Sequence, residues 1–234
     1  MLAVVVPCYN EEEVIEELVS EFQSVRERLE FDLIFVNDGS TDETGERIRE
    51  SLRRCDWIRI VTHESNQGIA KSLKDGFFYA LKEGYAHIAH MDSDLTHPPS
   101  LLPKMMEEIT DADLVIAGRY VPGGGMKGVP GWRVMISRGG NWLFRLFLRI
   151  KTRDATSGYR LAKREVFENL PLESDSFGIQ LEITVKAERA GFRIREVPFV
   201  LTNRKKGVSK FRLRYLFGYI PLVLKLMVGR GGRQ

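Results

Sequence analysis

The constraint that most narrows what this chain can fold into is a repeated alternation of a short β-rich apolar run, a polar turn and an amphipathic stretch. Leu2 to Val6 leads into Pro7-Cys8-Tyr9-Asn10-Glu11, and Leu33 to Val36 leads into Asn37-Asp38-Gly39-Ser40-Thr41-Asp42. Ile58 to Val61 runs toward Asn66-Gln67-Gly68, and Leu114 to Ala117 is followed by Gly118-Arg119-Tyr120. Between these runs, Leu18, Phe22, Val25 and Leu29, and again Ile69, Leu73, Phe77 and Leu81, recur at helical spacing. Strands alternating with amphipathic helices predict an α/β fold with a mostly parallel sheet flanked by helices, and such sheets bind ligands outside the carboxyl ends of their strands. The polar turns therefore all fall on one rim.

A length of 234 residues suits one large domain with a substantial core. The expected division is a single domain over residues 1–210 followed by a basic amphipathic tail over 211–234. Cys8 and Cys55 are the only cysteines, which excludes a disulfide framework and a thiolate metal cluster and fits a reducing compartment. Met1-Leu2 runs straight into the first strand, so no secretory leader is expected.

The net charge of +3 hides an asymmetry: after Glu196 there is no Asp or Glu, while Arg204, Lys205, Lys206, Lys210, Arg212, Arg214, Lys225, Arg230 and Arg233 all follow. Such a tail seeks an anionic partner. Interleaved Phe211, Leu213, Tyr215, Leu216, Phe217, Tyr219, Ile220, Leu222, Val223 and Leu224 favour phosphates at a membrane surface over nucleic acid. The uncharged run from Tyr215 to Leu224 is well short of the roughly 20 residues that span a bilayer. It predicts a helix bent at Gly218 and Pro221 that lies in the interface with its cations snorkelling; docking onto the domain or a partner chain is the alternative. The stretch from Trp142 to Ile150 has the same character and reads equally well as an ordinary core helix with two exposed arginines.

Asp92-Ser93-Asp94, just after the apolar run Ile88-Ala89-His90-Met91, carries the most chemistry. Carboxylates at i and i+2 point to the same side of extended chain and can share one divalent cation and the diphosphate it carries. Hard oxygen ligands suit Mg2+ or Mn2+ rather than zinc. His63, His87, His90 and His97 are too scattered for a zinc site, and His97-Pro98-Pro99 reads as a loop-shaping element that starts the next helix. Asn10 reads as a helix N-cap with Glu11, Glu12 and Glu13 in the first turn. Asp38 reads either as a turn residue or, from its place on the rim, as a carboxylate that recognises a nucleotide base. Gly123-Gly124-Gly125 and Gly128-Val129-Pro130-Gly131 predict a mobile, lid-like loop between Tyr120 and Trp132.

Pro7-x-Tyr9-Asn10-Glu11, Asn37-Asp38-Gly39-Ser40, Asp92-x-Asp94-Leu95-x-His97-Pro98-Pro99 and Gly118-Arg119-Tyr120 together resemble inverting family 2 glycosyltransferases of the GT-A, Rossmann-like fold. Ile136-Ser137-Arg138-Gly139-Gly140-Asn141, Arg153-Asp154-x-Thr156-Ser157-Gly158-Tyr159-Arg160, Gln180-Leu181-Glu182 and Asn203-Arg204-x-x-Gly207-x-Ser209-Lys210 are similar to the dolichyl-phosphate mannose synthase and polyprenyl-phosphate glucosyltransferase branch. The resemblance implies catalytic roles for Asp92, Asp94 and Arg119, with Asp92 and Asp94 holding the metal. It implies donor contacts from Pro7, Tyr9, Glu11, Asp38, Asp92, Asp94, Arg204 and Lys210. Acceptor or phosphate contacts would come from Arg119, Arg133, Ser137, Arg138, Gln180, Arg204 and Lys210. Thr96 stands where the branch often has Gln, which puts a third metal contact there in doubt.

The acceptor can be argued from acid-base chemistry. A sugar hydroxyl must lose a proton and needs a carboxylate base. A phosphate monoester, with its second pKa at about 6, is already largely dianionic at neutral pH. Ile179-Gln180-Leu181-Glu182 replaces the acidic pair of hydroxyl-using relatives, leaving Glu182 as the candidate base. The expected function is inverting, metal-dependent transfer of a hexose, best mannose from GDP-mannose, to a polyprenyl (dolichyl) phosphate. UDP-glucose as donor, a hydroxyl acceptor, and a catalytically silent nucleotide-sugar or membrane-binding module are the alternatives. An oxidoreductase is disfavoured because the first turn reads Pro-Cys-Tyr-Asn-Glu and not Gly-x-Gly-x-x-Gly. The expected location is peripheral, at the cytoplasmic face of a membrane, with no nucleic-acid partner; a separate membrane tether subunit is compatible with the sequence and not specified by it.

Overall fold

Strands β1 (Leu2–Cys8) and β2 (Phe31–Asn37) are buried at every residue, which is why they read as unbroken apolar runs: each is covered by helices on both faces. In β1, Val4, Val6 and Cys8 pack with Ile15, Leu18 and Phe22 of α1 (Ile15–Arg26), while Ala3 and Val5 pack with Leu73 and Phe77 of α3 (Ile69–Lys82). The period-2 alternation of side chains thus divides one apolar strand between two cores. The computed structural model describes residues 1–202 and 218–228.

The remaining elements are α2 (Thr44–Arg54), β3 (Ile58–Thr62), β4 (His87–His90), α4 (Leu102–Glu108), β5 (Leu114–Gly118), β6 (Gly125–Met126), α5 (Gly131–Leu148), β7 (Arg160–Lys163), α6 (Arg164–Asn169), α7 (Ile179–Arg189), β8 (Ile194–Pro198), β9 (Val200–Leu201) and α8 (Tyr219–Val228). Seven strands form one sheet in the order β3-β2-β1-β4-β7-β5-β8. The pairs β1–β2, β1–β4, β2–β3 and β5–β8 are parallel, and β7 alone runs against its neighbours β4 and β5. The first three strands step outward from β1, and β4 then returns to the opposite side of β1. That reversal makes the β1/β4 boundary the topological switch point where open α/β sheets place ligands.

Four local expectations change. Asn10 does not cap α1, which begins at Ile15; it sits at φ 52°, in the left-handed region, and its side-chain oxygen accepts the Thr41 N–H at 2.9 Å. Glu11, Glu12 and Glu13 consequently occupy the approach to the helix, and Glu16 and Glu17 are the acidic residues of its first turn. The glycine-rich loop is anchored: β6 pairs in parallel with β9, with the Gly125 N–H on Phe199 O and the Lys127 N–H on Leu201 O. Gly124 is required there, because a Cβ would lie 2.4 Å from the Gly118 carbonyl oxygen.

Helix α5 is not a core helix, since Asn141 and Leu148 are its only buried residues while Trp132, Met135, Ile136, Trp142, Leu143, Leu146 and Phe147 are exposed. Tail helix α8 begins after Gly218, so Pro221 lies in its first turn, where a missing N–H costs nothing. It docks on the domain: Leu226 is buried with Leu148, Leu181 and Val185, and Tyr219 lies 5.3 Å from Phe144 between ring centroids. Ile220, Leu224, Met227 and Val228 remain exposed. The expected domain boundary at residues 210 and 211 lies outside the described residues. No helix among the described residues is long and apolar enough to cross a membrane.

Candidate active site at the sheet rim

At the end of β2, Asp38 is 4% exposed and organises the loop after β3. Its Oδ1 accepts the Gln67 N–H and its Oδ2 the Gly68 N–H, each at 2.8 Å. His63 lies between two carboxylates, with Nδ1 2.7 Å from Asp38 Oδ1 and Nε2 2.9 Å from Asp75 Oδ2; Asp75 in turn pairs with Lys71. Gly39, at φ +65°, lets this turn pass against Ser65, whose backbone carbon would lie 2.3 Å from an added Cβ. Next to it on the same side of the switch point, Pro7 lies in the buried part of β1, and Tyr9 and Glu11 are half-buried just beyond that strand. The Glu11 N–H donates to Thr44 Oγ1 at 2.8 Å.

Asp92 and Asp94 follow β4 at the same crevice, with unequal exposure: the Asp92 side chain is 47% exposed, whereas Asp94 is 5% exposed. Thr96 donates both its N–H (3.1 Å) and its hydroxyl (2.6 Å) to Asp94 Oδ1, so the residue that stands in place of Gln fixes the carboxylate's orientation. His97 is buried against Tyr159 and Phe199, and its Nδ1 accepts the Asp92 N–H at 3.1 Å. Leu95, between Asp94 and Thr96, takes φ 59°. A non-glycine residue in that region costs on the order of 1–3 kcal/mol and persists where its surroundings over-determine it. Gly158 faces the Asp92 carboxylate so closely that a Cβ would lie 3.3 Å from both oxygens.

The donor set fits a hard divalent cation. The described residues contain no group of three or more His, Cys, Asp or Glu side chains that could hold an ion. Two carboxylates with diphosphate oxygens and water completing the shell is nonetheless how Mg2+ is commonly held.

Arg119, at the end of β5, is held by Asp154 through three hydrogen bonds: backbone N–H at 2.8 Å, Nε at 2.7 Å and Nη2 at 2.6 Å. Burial disfavours the Arg119 charge, but Asp154 more than offsets it and raises the pKa above the ordinary arginine value. Asp154 is positioned in turn by Glu196 of β8, which accepts the Arg153 and Asp154 N–H groups at 2.8 Å each and whose own pKa is raised by burial. Beside them Arg160 is fully buried, donating to Ser157 O and Ala155 O, and burial pulls it down to about 9. These contacts mark Arg119 as a rigid, pre-aimed cation.

On α5, Ser137 Oγ accepts the Tyr120 hydroxyl at 2.6 Å, Arg133 lies over the Trp132 ring, and Arg138 is exposed nearby. Gln180 and Glu182 are used inside the protein. The Gln180 amide oxygen accepts from His90 Nε2 at 2.9 Å, and burial followed by the Arg160 charge lowers His90 to about 3, so that ring is neutral. Glu182, 1% exposed, accepts the Glu173 and Ser174 N–H groups and pairs with Lys186 at 2.7 Å. Arg204 and Lys210 lie outside the described residues.

His63, Asp75, Asp154, Gly158 and Glu196 were not assigned roles from sequence. Asp154 and Gly158 lie within Arg153-Asp154-x-Thr156-Ser157-Gly158-Tyr159-Arg160, the stretch that carries the resemblance. Nothing local marks His63, whose partners are 25 and 12 residues away.

Residues 3–171 match the model of glycosyl transferase family 2, and the chain belongs to that family. It is a glycosyltransferase. It is 34% identical over 212 residues to polyprenol monophosphomannose synthase of Mycolicibacterium smegmatis, covering 88% of this chain and 79% of that protein. It is 31% identical to dolichol-phosphate mannosyltransferase of Pyrococcus furiosus, covering 98% of this chain and 64% of that longer protein. Undecaprenyl-phosphate mannosyltransferase of Micrococcus luteus is 34% identical, with 88% and 85% covered. Glucosyl-3-phosphoglycerate synthase from Mycobacterium tuberculosis, solved with Mn2+, UDP and glucosyl-3-phosphoglycerate, superposes with a TM-score of 0.71 at 22% identity, covering 100% of this chain and 81% of that one. The fold is therefore of the GT-A type.

Proposed function

We propose that this glycosyltransferase moves mannose from GDP-mannose to the phosphate of a polyprenyl lipid, with inversion at the anomeric carbon, at the surface of a membrane. The observation that carries the acceptor assignment is a juxtaposition: the rim that bears Asp92, Asp94 and Arg119 adjoins α5, which combines Arg133, Ser137 and Arg138 with an exposed apolar face. Cations beside exposed apolar side chains match an acceptor that has a phosphate head and a hydrocarbon tail. The relatives' names, all polyprenyl- or dolichyl-phosphate mannosyl enzymes, support the same sugar and acceptor.

Asp92 and Asp94 are the residues that would hold Mg2+ or Mn2+, which when bound stabilises negative charge on a departing diphosphate. Asp38, Tyr9, Pro7 and Glu11 border the crevice where the nucleoside would lie. Arg119, its fork fixed by Asp154, offers positive charge without having to reorganise. A lipid phosphate arrives as an anion and needs no base, consistent with the use of Glu182 as a structural anchor. The exposed apolar residues of α5 and α8 support peripheral binding to the cytoplasmic leaflet, with Arg204, Lys210 and the other tail cations adding attraction to anionic phosphates.

Incubating the protein with a panel of nucleotide sugars and a polyprenyl phosphate in vesicles, then weighing the lipid product, tests this. A mannosyl phospholipid formed only with GDP-mannose and a divalent ion is the expected result. A glucosyl product would transfer the proposal to UDP-glucose, and a sugar hydroxyl as the only competent acceptor would overturn it. Vesicle binding by the purified chain alone would make a tether subunit unnecessary.

A further inference from the structure

Strands β1, β2 and β3 run parallel and end on the same rim, and His63 follows the outermost of them. Its backbone N–H donates to Asn37 O at 2.9 Å, which seats it against the end of β2. The ring is buried, and each of its nitrogens faces a carboxylate oxygen: Nδ1 that of Asp38 at 2.7 Å, and Nε2 that of Asp75 on α3 at 2.9 Å. A carboxylate oxygen only accepts, so the ring donates from both nitrogens and cannot turn without losing a bond. A carboxylate offers about four acceptor positions, two on each oxygen. On Asp38, Oδ1 takes the Gln67 N–H and His63 Nδ1, and Oδ2 takes the Gly68 N–H, which leaves one position among the described residues, on Oδ2. Gln67 and Gly68 lie in a loop that Asp38 itself holds in place, whereas the His63 ring has an anchor of its own in Asp75, which pairs with Lys71.

We propose that His63 is a positioning residue for the nucleotide donor: it occupies Oδ1 and fixes the Asp38 carboxylate so that Oδ2 presents a single acceptor to a ring N–H of the base. The proposal rests on the reading of Asp38 as a residue that meets the nucleoside. A carboxylate held in advance at its bonding angle loses no rotamer freedom when the base arrives, whereas a loose one gives up part of its hydrogen-bond free energy to ordering. A merely structural His63 would act through either of its bonds. A positioning residue acts through Nδ1, the nitrogen that meets Asp38.

Asparagine and glutamine divide the two bonds of the ring. An asparagine amide nitrogen stands two bonds from Cβ, as Nδ1 does, and a glutamine amide nitrogen three, as Nε2 does. H63N thus keeps the contact with Asp38, and H63Q the contact with Asp75. The full chain, H63N, H63Q and D38N are titrated with GDP and with UDP in the presence of Mg2+, their melting temperatures are measured, and KM for the sugar donor and for polyprenyl phosphate is separated from kcat. H63Q is expected to bind the preferred nucleotide about tenfold more weakly, the lower end for a hydrogen bond to a charged group. The same loss is expected in its KM for the donor, with kcat and the KM for polyprenyl phosphate within about 2-fold of the parent, the pattern of lost uniform binding. H63N is expected to recover nucleotide affinity to within about 3-fold of the parent, although both variants lose one ring bond and melt at similar temperatures. Equal loss of nucleotide affinity in H63N and H63Q would make His63 a structural support and overturn the proposal. So would H63Q binding like the parent while D38N binds more weakly. Unchanged nucleotide binding by D38N would remove Asp38 from contact with the base, and the proposal with it.

Discussion

Around β1, β2 and β4 the polar side chains at the rim are held by other parts of the chain, whereas along α5 and α8 the large apolar side chains face outward. Asp38, His63 and Asp75 form one connected set, and Asp94 is fixed by Thr96. By contrast α5 buries two of its residues and leaves seven large apolar ones exposed. The first region is pre-organised by the protein alone; the second, on the proposed function, is completed only by the membrane it would meet. Arg119 stands at the junction, its backbone on the sheet and its fork set by Asp154.

The sharpest way to break this contrast is at the acidic pair. Asp94→Ala is expected to reduce transfer by on the order of 1,000-fold or more, since the charge stabilisation lost is several kcal/mol and each 1.36 kcal/mol is tenfold. Turnover by this variant, or by the parent in chelator, near the parent rate would remove the metal assignment. Next in size, Asp154→Asn leaves Arg119 buried without its counter-charge and is expected to lower folding stability by about 3–5 kcal/mol, measured by urea denaturation. An unchanged midpoint would mean that water satisfies Arg119 and that the junction is not rigid.

On the outward-facing side, Leu143→Ser with Leu146→Ser is expected to weaken vesicle binding by about 10- to 100-fold, given roughly 1.5–3 kcal/mol for each fully buried side chain and only partial insertion. Both residues are exposed in the free protein, so its melting temperature should barely move. The reverse pattern would show that this face packs against protein. The smallest effect on turnover is expected from Glu182→Gln: less than about 3-fold, against the 100- to 10,000-fold that removing a general base costs. A collapsed kcat with intact folding would move the acceptor to a hydroxyl.

The legible part of the fold was the part with strict periodicity. Leu18, Phe22 and Val25 and the runs in β1 and β2 announced themselves because both faces of the sheet are covered. Asn10 misled because the rule for helix caps is local, while its actual partner, Thr41, is brought in by the second strand. The acidic pair, Asp38 and Arg119 were legible as rim residues from their place after strands. Their supports were not, because Asp154 reaches Arg119 across 35 residues and Glu196 reaches Asp154 across a further 42, separations that the sheet closes. Glu182 looked available as a base because sequence does not reveal that its carboxylate receives two backbone N–H groups.

The short ladder between β6 and β9 has a mechanical consequence. Two inter-strand hydrogen bonds, from the Gly125 and Lys127 N–H groups, tie the glycine loop to the stretch of chain that leads on toward the basic tail. At a net 0.5–1.5 kcal/mol apiece, such a tie resists only about 1–3 kcal/mol and is undone in roughly 15% to under 1% of molecules at any instant. The glycine loop is therefore geared to the chain at Val200–Leu201 by a clutch that slips under small loads.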